Sequence, residues 1–376
     1  MRLTSVSIRD LGARDVAAWN SFAAPGGRLI SPYLRYEFAR TIDEVRGDVQ
    51  VLVAEDEDGA AGYMPFHRVR GLVRPAAAPM SDYQGLVARP GISLAPQDML
   101  DAMRAGAFVY ENWVGGDAPG KVRERAGSTV INVSDGAEAW FETRKALYKD
   151  HFKKAARRAR RAEQEFGPAR VEFGDPLGER FELLKAWKSA QYRKTGKLDL
   201  FSIDWVDRTL STFASQRFGA VRGLVATLYY GDEIAAIEFG IAAGDIYHSW
   251  FPAYDSRFAS VSPGLQLLHG VIEGAQQLGL SRIDLGKGDS AYKKYYADYE
   301  VPLTAGRSVG ASLAAARIAA GEATELTASL LPGRLREAPV KLRRRWAQIS
   351  AFEPAMSRSV TRMGEAFAGA LMHTGR

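Results

Sequence analysis

The segment from Ile246 to Lys293 constrains the fold more than any other part of the chain. An apolar run, Ile246 to Pro252, reads as a strand, and Ser262-Pro263-Gly264 then opens a helix of about sixteen residues that Gly279 ends. A second short strand, Ile283 to Leu285, leads into a turn carrying Gly286 and Gly288, with Tyr292-Lys293 just beyond. A helix that opens on Pro and Gly presents unpaired backbone N–H groups and the positive end of its dipole, which suits a phosphate.

The sequence around this segment predicts a mixed α/β chain. Phe181 to Thr195 and Trp205 to Phe218 have helical spacing, and Val221 to Tyr230, Ile234 to Ala242 and Ile246 to Pro252 form a three-strand meander through turns at Gly231-Asp232 and Ala243-Gly244-Asp245. The first part of the chain has a similar texture. Helices over Asp15–Phe22 and Tyr33–Thr41 precede strands Val49–Glu55 and Ala60–Val69, joined by Asp56-Glu57-Asp58-Gly59. No repeat exists at the residue level, so any duplication is architectural. Between the halves, Ala137 to Phe166 reads as one long helix stopped by Gly167-Pro168, and Ala169 to Phe173 as the next strand. The tail holds an alanine-rich helix, Ala311 to Ala320, a break at Leu331-Pro332-Gly333, and a basic stretch from Val340 to Ile349.

The run Ser262-Pro263-Gly264, Gly279, Asp284, Gly286, Gly288, Tyr292, Lys293 resembles the cofactor half of the GNAT acyltransferase superfamily, and most of all its CelD-like branch, associated with cellulose and exopolysaccharide biosynthesis. It is similar, more distantly, to the Fem aminoacyltransferases. The resemblance implies tandem GNAT-like (acyl-CoA N-acyltransferase) domains of the α/β (α+β) class with a helical C-terminal extension. The divisions are residues 1–135, a degenerate GNAT-like domain; 136–167, a basic linking helix; 168–307, the acyltransferase domain; and 308–376, a helical basic tail. One departure stands out. The common acetyltransferase loop wraps the pyrophosphate with Arg or Gln followed by Gly-x-Gly or Gly-x-Ala, whereas this chain has Val261-Ser262-Pro263-Gly264-Leu265. Fewer glycines leave fewer places where backbone meets phosphate closely, so an acyl carrier or aminoacyl donor stays open beside acyl-CoA.

Composition removes other classes. The chain has no cysteine, which excludes disulfides, thiolate zinc sites and a cysteine nucleophile. Its five histidines, at 67, 151, 248, 269 and 373, show no ligand spacing, so no metal is expected. No run approaches eighteen apolar residues and the N-terminus lacks a secretory pattern, which points to a cytoplasmic protein. The net charge of +6 is uneven: Arg144 to Arg161 holds nine basic residues against one acid, and the part after Ala311 ten against five, so the rest is net acidic. A basic helix at Lys153-Lys154, Arg157-Arg158 and Arg160-Arg161, charged around nearly its whole circumference, attracts polyanions, RNA or glycan among them, or presents a solvated face. Sequence-specific DNA binding is not expected, since no reading motif accompanies it. The tail around Arg343 to Trp346 suits peripheral contact with an anionic inner membrane.

Acyl transfer from a thioester to an amine needs a bound donor, a base for the ammonium proton and an acid for the thiolate. Donor phosphates are placed on the N–H groups near Ser262, Gly264 and Leu265, with Lys293 as a nearby point charge, although Pro263-Gly264 also serves as a plain helix start. Glu238 lies in an otherwise apolar strand, where burial raises a carboxyl toward use as a base unless strand alternation turns it to solvent or an ion pair. His248, between Tyr247 and Ser249, either shares that role or packs as a core histidine. By resemblance Tyr292 protonates the thiolate, with Tyr295, Tyr296 and Tyr299 as competitors. Asp82 and Tyr83 match a pair in the CelD-like proteins and contact the acceptor or cap a turn; Lys188 and Arg193 bind an anionic sugar or phosphate. The expected activity is N-acyl transfer from acetyl-CoA or another acyl-CoA, without metal, to the amine of an amino sugar or polysaccharide precursor. Fem-like transfer from charged tRNA and a non-catalytic polysaccharide-machinery binding protein are the alternatives.

Overall fold

The computed structural model describes residues 1–23, 29–69, 71–115, 117–174, 178–215, 220–329, 345–353 and 361. The first half runs β1 (Arg2–Ser7), α1 (Ala13–Phe22), α2 (Tyr36–Arg46), β2 (Gln50–Asp56), β3 (Gly59–Val69), β4 (Leu72–Pro75), β5 (Val87–Ala88), α3 (Pro96–Ala102), β6 (Ala107–Val114) and β7 (Lys121–Asn132). After α4 (Ala137–Leu147) and α5 (Lys149–Phe166), the second half runs β8 (Ala169–Gly174), α6 (Glu179–Lys194), α7 (Asp204–Ser215), β9 (Val221–Tyr230), β10 (Glu233–Ala243), β11 (Ile246–Tyr254), α8 (Pro263–Gly274), β12 (Arg282–Lys287) and β13 (Tyr299–Val309). Helix α9 (Leu313–Ser329) follows, and residues 345–352 are helical.

Leaving β5 aside, both halves repeat one order: strand, two helices, three-strand antiparallel meander, helix, parallel strand, closing strand. In each, the strand before the third helix pairs in parallel with the strand after it, β4 with β6 and β11 with β12. Such a crossover needs a helix to span the sheet, which α3 and α8 provide. All the strands join one 13-stranded sheet in the order β1-β2-β3-β4-β6-β13-β7-β12-β11-β10-β9-β8, with β5 on β3. The closing strands are exchanged. β7 of the first half lies between β12 and β13, and β13 of the second reaches β6. The middle of the sheet therefore belongs to both halves, and side chains from either reach the same place.

Three apolar clusters hold the layers. On one face of the second half, α5 and α8 cover β9, β10 and β11 with Leu267, Val271, Ile272, Tyr247 and Phe258. Helix α8 seats closely there, because a Cβ on Gly270 or Gly274 would lie 2.3 or 2.4 Å from Val171 or Phe173 of β8. On the other face the helix pairs of the two halves share one core, where Phe38 of α2 stacks on Phe213 of α7 at 5.3 Å. Each such buried ring contributes about 1.5–3 kcal/mol. Under α3, the space that corresponds to the one below α8 is filled by Met64, Phe66, Met99, Met103, Tyr110 and Trp113.

Several expectations change. The single helix over 137–166 is two: Tyr148 leaves helical geometry (φ −129, ψ 47) and the chain turns between α4 and α5. Nor is α5 charged all round. Tyr148, Phe152, Ala162 and Phe166 form a stripe packed on α8 and its surroundings, while Lys153, Lys154, Arg157, Arg158, Arg160 and Arg161 are exposed. The helix from Pro263 stops at Gly274 and a 3-10 turn, Gln276–Leu278, carries the chain to Gly279. The break at Leu331-Pro332-Gly333 and residues Lys341, Arg343 and Arg344 lie outside the described residues. The tail helix at 345–352 rests on the protein itself: Ile349 and Phe352 are buried, Phe352 stacks on Trp205, and Trp205 Nε1 donates to the Phe352 carbonyl at 2.8 Å. No helix among the described residues is long and apolar enough to cross a membrane.

Candidate active site

Strands β11 and β12 pair in parallel at Ile246–Arg282, Tyr247–Ile283 and His248–Asp284, and the ladder stops there although both strands continue. Beyond the parting, Ser249, Pro252 and Tyr254 of β11, Leu285 of β12 and the first turn of α8 enclose a cavity of about 350 Å³. That volume lies within the range of small-molecule sites. Ser262 caps α8 in the left-handed region (φ 58, ψ 58), and Pro263 at the first helical position has no N–H to satisfy. The Leu265 amide is taken by the Ser262 carbonyl at 3.1 Å, whereas the Gly264 amide pairs with none of the described residues. A Cβ on Gly264 would meet nothing within 4 Å. Ser262, Gly264 and Leu265 thus come together on the cavity wall.

Glu238, Lys188 and Tyr292 share that cavity. Glu238 is 5% exposed and accepts a hydrogen bond from the Tyr247 hydroxyl at 2.8 Å. Burial pushes its carboxyl up; hydrogen bonds from Tyr247 and Ser249 and the charges of His248 and Lys188 act the other way. Lys188 donates from Nζ to the Pro252 carbonyl at 2.8 Å. Burial, aided by Lys197 and opposed by Glu238, lowers its ammonium to about 8. Tyr292 is raised to about 12, chiefly by burial and then by Glu238. An acid pushed up and a base pushed down in one cavity is the pattern of proton-transfer sites. Of the four tyrosines near the elbow, Tyr292 alone is in the lining. Tyr296 is buried, its hydroxyl 2.7 Å from His269 Nε2 and 3.3 Å from His151 Nε2.

On the opposite face of β11, His248 is fully buried in a second cluster that both halves build. Its Nε2 lies 2.8 Å from Asp82 Oδ2, and its Nδ1 is 3.6 Å from Asp284 Oδ1, too far for a hydrogen bond but close for charge attraction. Asp284 is tied by the Tyr83 hydroxyl at 2.5 Å, the Ser128 hydroxyl at 2.6 Å and the Gly286 amide at 2.8 Å. Burial lowers His248, but Asp284 and Asp82 together outweigh it and raise the imidazole to about 9. Asp284 is lowered despite its burial, through His248, Ser128 and Tyr83. Gly286, at φ 75, makes room: a Cβ there would sit 3.4 Å from Asp82 Oδ2 and 3.6 Å from His248 Nε2.

These positions revise several expected roles. His248 does not join Glu238, because successive residues of β11 point to opposite faces and Tyr247 takes the Glu238 side. Held as imidazolium at neutral pH, it has no lone pair with which to act as a base. Lys293 is 7% exposed and its Nζ donates to the Gly286 carbonyl at 2.7 Å, so it fastens the elbow rather than presenting charge to the cavity. Tyr83 is buried with its hydroxyl committed to Asp284. Arg193 is exposed, pairs with Asp199 at 3.3 Å and lies outside the lining. Sequence reading assigned no role to Asp284 or Ser128. The available signal was a carboxylate between Ile283 and Leu285, the same signal that singled out Glu238.

No group of His, Asp and Glu among the described residues has the arrangement of a metal site. The sequence model of the Acetyltransferase (GNAT) domain matches residues 149–294, a span from α5 through the elbow. No curated protein matches the chain. Among solved structures, a conserved protein of unknown function from Bacteroides thetaiotaomicron VPI-5482 is similar with a TM-score of 0.51 at 11% identity, over 79% of this chain and 98% of that one. The C-terminal domain of an Agrobacterium fabrum protein named as a lysylphosphatidylglycerol synthetase gives 0.49 at 14%, over 84% and 96%. FemX gives 0.48 at 10%, over 81% and 97%. At 11% identity the likeness to the first of these is one of fold alone. The parted strands and the cavity beneath α8 agree with the domain match: residues 149–294 carry a GNAT-type acetyltransferase domain.

Proposed function

We propose that the chain is an N-acyltransferase that moves an acyl group from a thioester, with acyl-CoA as donor, to the amine of an amino sugar or polysaccharide precursor. The observation that carries this reading is the meeting of Glu238, Lys188 and Tyr292 in one cavity at the place where β11 and β12 part. The start of α8 fits a phosphate, since the Gly264 amide pairs with no described residue and the space before it is open. Under α3 in the first half, aromatic and methionine side chains occupy the corresponding space.

In the reaction the ammonium gives a proton to Glu238, whose raised carboxyl favours accepting it. The nitrogen lone pair forms the C–N bond to the thioester carbonyl, the C–S bond breaks, and its electron pair leaves with sulfur, which takes a proton from Tyr292. Glu238 passes its proton to solvent, and the second proton, shed by the nitrogen as the amide forms, returns to Tyr292, so one proton is released per turnover. The acceptor class follows the CelD-like resemblance of residues 246–293.

The test is thiol release from acetyl-CoA and longer acyl-CoAs by the full chain, with glucosamine and other amino sugars as acceptors, beside aminoacyl transfer from charged tRNA. Thiol release that depends on the amino sugar, with an N-acyl product by mass spectrometry, supports the reading. Transfer from charged tRNA alone sinks it.

A further inference from the structure

Lys188 lines the donor cavity, yet it takes no part in the proton transfers between the amine, Glu238 and Tyr292. It stands on α6 one turn before Tyr192, and its side chain shares the cavity with both the base and the acid. The place of its ammonium is fixed from β11. Nζ donates to the Pro252 carbonyl at 2.8 Å, and Pro252 is the residue that faces Glu238 across the β10–β11 ladder. Directly opposed residues in such a ladder have Cβ atoms about 4.5–5.5 Å apart, and the charges of Lys188 and Glu238 each act on the other.

Three features set this lysine apart. No ion pair holds it among the described residues, whereas Lys185 on the same helix is shared between Glu182 and Asp207. Burial, aided by Lys197, lowers its ammonium to about 8. About a tenth of it is therefore free amine at neutral pH, against less than about a thousandth of an ordinary exposed lysine. It is also the one lysine in the cavity lining, since Lys293 lies outside it and donates to the Gly286 carbonyl. An amine tethered beside a base, an acid and a bound thioester meets the carbonyl without the entropy cost of a second molecule.

We propose that Lys188 is itself an acyl acceptor: with a thioester in the cavity and no amine substrate present, the chain acylates its own Lys188. The proposal deepens the N-acyltransferase reading and rests on its donor site. The Lys188 ammonium gives a proton to Glu238, and the nitrogen lone pair forms the C–N bond to the thioester carbonyl. The C–S bond breaks, its electron pair leaves with sulfur, and the thiolate takes the Tyr292 proton. The second proton shed by the nitrogen returns to Tyr292, and Glu238 releases its own to solvent. The products are a free thiol and a neutral Nε-acyl-Lys188. Its amide keeps one N–H for the Pro252 carbonyl, so the acyl group stays in the cavity and the positive charge beside Glu238 is lost.

The experiment incubates the full chain with acetyl-CoA and no acceptor amine, and follows acetylation over time by peptide mass spectrometry. The expected result is acetyl-Lys188 forming at least tenfold faster than acetylation of Lys153 or Lys154, whose exposed positions on α5 report plain chemical acetylation. Glu238→Gln should slow the reaction at Lys188 at least tenfold and leave Lys153 and Lys154 unchanged. A rate at Lys188 no greater than at Lys153, or one indifferent to Glu238→Gln, overturns the proposal. A parallel incubation with glucosamine separates the two levels. N-acetylglucosamine formed by a chain whose Lys188 stays unmodified without the sugar sinks self-acylation and keeps the transfer reading. Acetyl-Lys188 in a chain that acylates no added amine sinks the amino-sugar reading and keeps Lys188 as acceptor. Neither product removes both.

Discussion

His248→Gln tests the charge arrangement at the centre of the molecule through its dependence on pH. In the folded chain the imidazole is raised from the ordinary 6.5 to about 9 because Asp284 and Asp82 outweigh its burial. A group whose pKa rises on folding stabilises the fold fully below its unfolded value and loses that contribution as pH climbs through the folded one. The window is therefore 6.5 to about 9, with stability falling toward alkaline pH. Integrating the linkage between pH 7 and pH 10 gives a loss of about 2.5 kcal/mol that belongs to His248. Three groups that face it do not titrate in that window: burial pushes Tyr33 and Tyr83 well above their usual range, and Asp284 is lowered. Lys188 does titrate there but is common to both chains and cancels in the difference. The assay is urea unfolding of wild type and variant at several pH values. Wild type should lead by a margin that shrinks by about 2.5 kcal/mol as pH rises from 7 to 10. A margin independent of pH would show that the imidazole is not held charged between the two carboxylates.

Glu238→Gln should lower kcat by about a hundredfold to ten-thousandfold while the fold persists, since the amide oxygen can still accept from Tyr247; rates equal to wild type remove it as the base. Gly264→Trp projects a ring into open space at the start of α8 and should weaken donor binding by calorimetry more than about tenfold with little change in Tm; unaltered affinity places the donor elsewhere. Phe352→Ala removes the ring stacked on Trp205 and should cost the docking of residues 345–352 about 3 kcal/mol, read as lost hydrogen-exchange protection in that segment. Persistent protection there would mean that Phe352 does not hold the tail.

The second half is largely legible in the sequence. Its meander is marked by apolar runs between glycine turns, and Pro263 and Gly279 bracket the crossover helix region. Such signals are local, and local chemistry decides them. What stayed hidden depends on partners far along the chain. Strands β6, β7 and β13 are stabilised by exchanged pairing, as where Tyr299 meets Val130, and no residue of β7 announces that its neighbours come from the other half. The break at Tyr148 is set by packing against α8, which lets Phe141 and Phe152 reach His269 together. The cavity group was found because Glu238 and Tyr292 stand out against apolar or glycine-rich neighbours. The Asp82 cluster was found only in part: Tyr83 and Asp284 lie 201 residues apart, so no spacing rule connects them. Lys293 was misplaced for a related reason. Its position after the glycines is fixed by sequence, but the direction of its ammonium is set by the Gly286 carbonyl.

The most direct measurement is a structure of the full chain with a non-hydrolysable thioether analogue of acetyl-CoA. The phosphates are expected before Gly264, and the carbonyl carbon at the parting of β11 and β12 within reach of Glu238 and Tyr292. An analogue bound outside the space between α8 and those strands would contradict it.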